Sequence, residues 1–388
     1  MQDLKPLDGI RVVERASGVA AAYAGRLLAA MGAEVFMAEP PEHSPLRREA
    51  PFLPGGGSAL FAYLAADKRS VLCDLGDPEG REAFHGLVAA AQILIDDTPV
   101  ADRAAQGLDP AGIVERHPHL VHLSVLPFGA EGPKAGWAGA EINLIHAGGE
   151  GFLLPNGLSA DLFPDRPPLK IAGHFAEMQG GVTAALAALS ALWSGQGQFV
   201  DVSVQDANVA IGAFAVQRYG DGAVEHRTTR SFRYGGVIEC RDGFVELLTL
   251  EERQWQRLVD LLGRPDWATD PALTDSAERS ARGDMINANI RAWAKDQSVA
   301  DLVARAQELG VPMAPYNTPQ DILEGGQETA REIFREVAMP GEGRVQIQSA
   351  PFRFGPEPLS VTRGAPKPGA DQQLLMSCVP PEARRVQA

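Results

Sequence analysis

The stretch LDGIRVVERASGVAAAYAGRLLAAMGAEVFMAE, residues 7–39, decides the fold. Ile10–Glu14 is a short run rich in valine and isoleucine, which favours a strand. Ala21–Gly32 is a small-residue helical pattern closed by a glycine, and AEVFMAE is a second strand. Strand, helix, strand in that order implies parallel strands joined by a crossover helix. The grammar continues outward. SVLCDL (Ser70–Leu75) reads as a third strand, PEGREAFHGLVAAA (Pro78–Ala91) as a helix opened by proline, and QILID and LVHLSV as further strands. The expected class is therefore α/β, with a Rossmann-like large domain built on a mainly parallel, doubly wound sheet.

From Pro127 to Lys170 the chain is rich in glycine and proline and is expected to form long loops. A helical pattern then runs from about Phe175 to Trp193, followed by GQGQ and the strand FVDVSV. Gly180 and Gly181 inside that helix cost about 1 kcal/mol each against alanine, so close approach by another backbone is expected there. After about Gln217 the character changes. GGVIECRDGFVELLTL reads as a hairpin turned at Arg241–Gly243, and the helical patterns EERQWQRLVDLLG and SVADLVARAQELG follow. This predicts a large domain over residues 1–218, a smaller α+β domain over 219–316, and a tail, 317–388, that returns to complete the first.

The 388 residues suffice for a large core and favour two domains. No stretch reaches the roughly 18 uncharged apolar residues of a membrane span, and no basic-then-apolar secretory leader opens the chain. Three widely spaced cysteines, Cys73, Cys240 and Cys378, fit a reducing cytoplasm and exclude a disulfide framework or a Cys-rich zinc site. A formal charge of −15 without a basic run argues against nucleic acid, yet leaves room for an anionic small molecule at a local basic patch or a helix N-terminus. The expectation is a soluble cytoplasmic protein with no membrane or nucleic-acid partner and no metal.

The standard phosphate, zinc and serine-nucleophile motifs are absent. Gly55–Gly57 follows a proline with no strand before it, and reads as a flexible loop, not a phosphate cradle. His117, His119 and His122 flank a turn into a strand and read as surface residues. PLKIAGHFAEMQGG, residues 168–181, is more informative. Glu177 at the mouth of a helix is either an ordinary first-turn acid, which the residues alone favour, or a carboxylate on a rigid element suited to attack an activated acyl group. His174, three residues earlier, is expected to lie on a loop outside the site.

These blocks resemble the family III CoA-transferases, the group containing formyl-CoA:oxalate and crotonobetainyl-CoA:carnitine CoA-transferases and α-methylacyl-CoA racemase. The resemblance is carried by LDGIRVVE, YAGRLLAAMGAEVFMAEPP, DKRSVLCDLGDPEGREAFHGLVAAA, SVLPFGAEGP, GQGQFVDVSVQDA and ELGVPMAPYNTPQDIL, in register over nearly the whole chain. It implies an interlaced homodimer, CoA or acyl-CoA as substrate held mainly by the large domain, and a carboxylic acid acceptor. It also implies an aspartate nucleophile in the pattern G-x-x-A-D-x-x-x-G. Here that pattern falls on Gly173, Ala176, Glu177 and Gly181, so Glu177 takes the catalytic place with one extra methylene, a reach of about 1.5 Å, and misplacement of that order costs about 100-fold in rate.

The CoA contacts implied are Val19 and Ala20 in the Ser17–Ala22 stretch, whose amides would hold pyrophosphate or pantetheine, with Cys73, Asp97 and Thr98. Arg103, with Arg15, Lys68 and Arg69, is a basic candidate by charge and approximate place. Asp97 stands where the family usually has an amide, next to phosphates it would repel, and Pro40 stands where a basic or polar residue is usual. Racemase chemistry is disfavoured, because Ala140 replaces the histidine and His146 lies six residues on. Three functions follow in order: a CoA-transferase using Glu177; a non-catalytic partner chain of a heteromeric transferase, for which the Glu177 change and weakened CoA motifs speak; and an acyl-CoA isomerase, hydratase or lyase with Glu177 and His174 or His146 in proton transfer.

Overall fold

The computed structural model describes residues 5–153, 165, 167–212, 234–355 and 358–378. The expected domain boundary near Gln217–Tyr219 lies outside them. Six strands, β1 (Arg11–Arg15), β2 (Glu34–Glu39), β3 (Arg69–Leu72), β4 (Ile93–Asp96), β5 (Val121–Leu126) and β6 (Gln198–Ser203), form one sheet in the order β3-β2-β1-β4-β5-β6. Every pairing within it is parallel. β4 and β5 are buried along their whole length, as parallel strands covered on both faces must be. Neighbouring residues serve opposite layers. Val12, Val35, Ile93 and Ile95 join one apolar cluster, whereas Val13, Phe36, Val71 and Leu94 join another.

The first layer is made by α1 (Val19–Ala30) and, later in the chain, by Phe175–Ser194. The opposite layer is built on α3 (Pro78–Ala89), after the short α2 (Ala59–Leu64). Next come α4 (Val100–Gln106), α5 (Pro110–Arg116), and then α6 (Glu141–Ala147) and α7 (Glu150–Leu153), which lie within the stretch expected to be all loop. The long helix Phe175–Ser194 is α8, and α9 (Val204–Ile211) follows β6. By length and composition alone α8 is apolar enough to cross a membrane, contrary to the sequence expectation. Its small residues, among them Ala176, Gly180, Gly181, Ala184 and Ala188, are nonetheless buried in the core of the first unit. A Cβ on Gly181 would stand 2.7 Å from the Ala20 carbonyl oxygen, so the expected backbone approach is real there; at Gly180 the neighbour is the Val204 side chain.

Two compact units are present, Met1–Val224 with Thr329–Ala388, and Glu225–Glu328. The second unit has a three-stranded antiparallel sheet of β7 (Gly236–Cys240), β8 (Gly243–Leu247) and β9 (Met313–Pro315), with Trp255, Leu258, Ile286 and Leu302 in its core. In the first unit the C-terminal segment binds β3: Asp371 accepts from the Ser70 amide and pairs with Arg69, and Gln372 bonds both the N–H and the carbonyl of Leu72. An antiparallel pair, β10 (Phe334–Met339) and β11 (Gly343–Gln348), precedes it.

Several expectations are corrected here. Lys68, a basic candidate for CoA, is not presented to a ligand. It is fully buried, with Nζ 2.6 Å from Glu14 and donating to the Ala22 carbonyl. His117 and His122 are buried, not superficial: His117 meets His85 at 3.1 Å, and His122 faces Asp96 at 3.3 Å. Both belong to the layers around β4 and β5, which the local turn pattern did not reveal. Gly55–Gly57 is not simply a flexible loop: the Gly55 and Gly57 amides donate to the two carboxylate oxygens of Glu342 at 2.8 and 2.7 Å, which leaves them occupied by the chain itself.

Candidate functional site

The strand order reverses between β1 and β4, and in open parallel sheets the crevice at that point, beyond the carboxyl ends of the strands, is where ligands bind. Register makes the place specific. Arg15 pairs with Asp96, so the residues just beyond, Ser17 and Asp97, face each other across 80 positions of sequence. The Asp97 carboxylate accepts from the Ser17 and Gly18 amides at 2.8 and 2.6 Å and from the Ser17 hydroxyl at 3.1 Å. Two amides expected to hold a CoA phosphate at the start of α1 are therefore already taken. Burial pushes the Asp97 carboxyl up to about 6, against the pull of those amides.

Beside Asp97 opens a cavity of about 400 Å³, walled by Ser17, Ala20, Asp97, Trp137, Leu144 and Glu177, among others. The close packing of α8 on α1 at Gly181 is what brings Glu177 to this wall. The first turn of α8 is built by three contacts. Gly173 turns the chain at φ +81, a conformation suited to glycine, and its carbonyl accepts from Lys170 at 2.8 Å. Glu141, in the first turn of α6, caps α8 from outside: its two oxygens accept from the Ala176 and Glu177 amides at 2.9 and 3.0 Å. Finally, His174 is not outside the site but at the N-cap of α8, with Nδ1 2.7 Å from Glu177 Oε2.

Glu141 was missed as a functional residue, because it lies 35 positions from the helix it caps and no local motif joins them. Replacing it with alanine strands two largely buried amides. Glu141→Ala is expected to destabilise the first unit by about 1–3 kcal/mol in urea unfolding and to lower any turnover that depends on Glu177.

A second crevice of about 340 Å³ shares Ser17, Asp97 and Pro99 with the cavity and is lined in addition by Arg15, His43, Arg48 and Thr98. Arg15 and Arg48 donate to the Ala38 and Glu42 carbonyls, and neither forms an ion pair among the described residues. Arg48 thus supplies the positive charge that Pro40 lacks, with His43 beside it; Arg48 ends the short 3-10 helix Pro45–Arg48 that follows β2, where strand and helix patterns carry no signal.

The remaining sequence candidates divide. Ala20, Asp97 and Thr98 line these voids, whereas Val19, Cys73 and Arg103 do not. Val19 is packed with Leu46 and Phe61 in the core. The Cys73 Sγ donates to the Gly80 carbonyl, and burial pushes the thiol up to about 11. Arg103 is buried against Asp96 and Ser124, where it braces the turn carrying Asp97. Arg69 is held by Glu34 and Asp371, away from both voids. Ala140 is the N-cap of α6, and His146 donates to the Leu169 carbonyl at 3.0 Å, so neither forms the acid/base pair of a racemase.

A family model described as CoA-transferase family III matches residues 7–372. The chain is 31% identical over 371 residues to "Probable CoA-transferase Rv1866" of Mycobacterium tuberculosis; the match takes in 93% of this chain, which spans 46% of that protein's length. It is 28% identical to the succinyl-CoA--D-citramalate CoA-transferase of Chloroflexus aurantiacus, with 96% of this chain and 94% of that protein covered. It is 29% identical to the succinate--glutarate CoA-transferase of Agrobacterium fabrum, with 96% and 95% covered. Among solved structures, a CAIB/BAIF family protein from Brucella suis superposes with a TM-score of 0.83 at 27% identity, covering 97% of this chain and all of that one.

Proposed function

The chain belongs to CoA-transferase family III, and from that premise we propose that it moves CoA from an acyl-CoA to a carboxylic acid, with Glu177 as the nucleophile. The observation that carries this reading is the position of Glu177 on the wall of an apolar cavity that shares Ser17, Asp97 and Pro99 with a crevice bearing Arg15, His43 and Arg48. CoA has the matching shape, a phosphorylated end for the cationic crevice and a long arm ending in a thioester for the cavity.

A Glu177 oxygen attacks the thioester carbonyl carbon; a C–O bond forms, the C–S bond breaks, and CoA leaves as thiolate. The thiolate then attacks the Glu177 carbonyl of the mixed anhydride, releasing the donor acid and leaving a glutamyl thioester. The acceptor carboxylate attacks that thioester, displacing CoA, and the thiolate finally attacks the acceptor's carbonyl in the new anhydride, which restores Glu177. Relatives named for succinyl-CoA or succinate make a dicarboxylyl donor the first to try.

The exposed apolar face of α8, with Val182, Leu186 and Trp193, together with Ile211 of α9, supports the homodimer that the family resemblance implies. The buried free thiols Cys73 and Cys240 accord with a cytoplasmic setting. A second reading, a partner chain of a heteromeric enzyme, is supported by relatives named as subunits, in Thauera aromatica and Chloroflexus aurantiacus.

The test is calorimetric binding of CoA and acetyl-CoA, followed by CoA exchange over a panel of donors that includes succinyl-CoA. Absence of binding at millimolar ligand would sink a stand-alone transferase and favour the partner-chain reading. Asp97 makes that binding depend on pH. The carboxylate repels an anionic ligand above pH 6 and is neutralised below it, so affinity should rise as pH falls through about 6. Asp97→Asn should bind CoA about 10-fold tighter than wild type at pH 8, with the gap closing at pH 5. CoA's own phosphate ionisation is common to both proteins and cancels in their ratio.

A further inference from the structure

We propose that His174 is a positioning residue for Glu177, holding the longer carboxylate in the attacking geometry; this rests on the reading of Glu177 as the transferase nucleophile. A glutamate at the third helical position often reaches back to the backbone amide of the N-cap residue. On α8 the Glu177 carboxylate instead meets the side chain of that residue, His174, while the Ala176 and Glu177 amides are satisfied by Glu141. The hydrogen bond that the Glu177 carboxylate makes among the described residues is with His174, Nδ1 to Oε2 at 2.7 Å. An ionised carboxylate only accepts, so Nδ1 is the protonated nitrogen and donates.

His174 is itself fixed. It follows the left-handed turn at Gly173, its carbonyl accepts the first helical bond from the Met178 amide at 2.9 Å, and its side chain makes no capping bond of its own. The side chains of His174 and Glu177 are 30% and 18% exposed, so the pair is reached by solvent and does not lie in the core, with Glu177 on the cavity wall. A glutamate has one more rotatable bond than an aspartate. The tether on Oε2 removes that extra freedom and assigns Oε1 to the attack on the thioester carbon, with the proton staying on the imidazole throughout. His174 acts on rate through geometry, and touches neither the acyl carbon nor CoA.

The test is CoA exchange with the purified full chain, comparing His174→Ala, His174→Phe and His174→Asn. Asparagine places an N–H donor near the position of Nδ1, whereas phenylalanine keeps the ring without the donor. His174→Ala and His174→Phe should lower kcat about 10- to 100-fold with KM for acyl-CoA within about 3-fold, and His174→Asn should recover to within about 5-fold of wild type. In a Glu177→Ala background, His174→Ala should cost nothing further. Wild-type kcat in the alanine variant, or an asparagine variant as slow as phenylalanine, would overturn the inference while the transferase reading stands. A wild-type chain that exchanges no CoA with any donor would overturn the transferase reading, and the inference with it. Should His174→Ala fail to fold, the comparison of asparagine with phenylalanine decides alone.

Discussion

Glu177→Gln is expected to lower CoA exchange by at least about 1,000-fold while leaving CoA affinity within a few-fold of wild type. The amide is isosteric and can still accept from His174 Nδ1, so the local geometry at 2.7 Å survives. What is lost is the anionic oxygen that forms the anhydride, and removal of a covalent nucleophile is among the largest single effects an enzyme shows. The cavity wall is otherwise unchanged. A matched experiment traps the wild-type intermediate: hydroxylamine added during turnover should modify the peptide containing Glu177 and nothing in the glutamine variant. Retention of more than about a tenth of wild-type exchange by Glu177→Gln would refute covalent catalysis at this residue.

The second large effect is on stability. Lys68→Met leaves the Glu14 carboxylate buried beneath α1 with its cationic partner gone, and breaking a buried pair from one side costs about 3–5 kcal/mol. The cost has a definite pH dependence. Burial pushes the Glu14 carboxyl up and the Lys68 ammonium down, and removing Lys68 also removes the attraction that opposes the rise of Glu14. A carboxyl whose pKa is raised on folding binds more protons in the folded state. Its contribution is thus greatest at low pH and is lost as pH rises through the raised value. The deficit of Lys68→Met should therefore be larger at pH 8 than at pH 5.5 in urea unfolding, and Glu14→Leu added to Lys68→Met should recover most of it. A loss under about 1 kcal/mol at pH 8 would refute the pair's role in seating α1 on β1.

The two results concern one piece of architecture. Glu14 lies on β1 and Lys68 just before β3, and together they seat α1, whose N-cap Gly18 and the preceding Ser17 face the site. α1 in turn supports α8 through the glycine contact at Gly181, and α8 presents Glu177.

By itself the sequence determined the order of strands and helices in the large sheet, the hairpin of the second unit, and the chain position of Glu177. The elements are written within a few neighbouring residues, as short apolar runs for β1, β2 and β5 and a proline start for α3; Glu177 is singled out by the resemblance of its Gly173-to-Gly181 stretch to the family pattern. Only the tertiary structure decided which polar groups meet. Arg15 pairing with Asp96 places Asp97 on the amides of Ser17 and Gly18, and α6 packing against α8 places Glu141 on its N-terminus. Lys68 reads as a basic candidate for CoA until the sheet and α1 close over it. Even His174, three residues from Glu177, required the turn at Gly173 before its ring could be directed. Local periodicity specifies the faces of an element, but contacts between charged side chains depend on register and packing between elements, and those are properties of the assembled sheet and its helices.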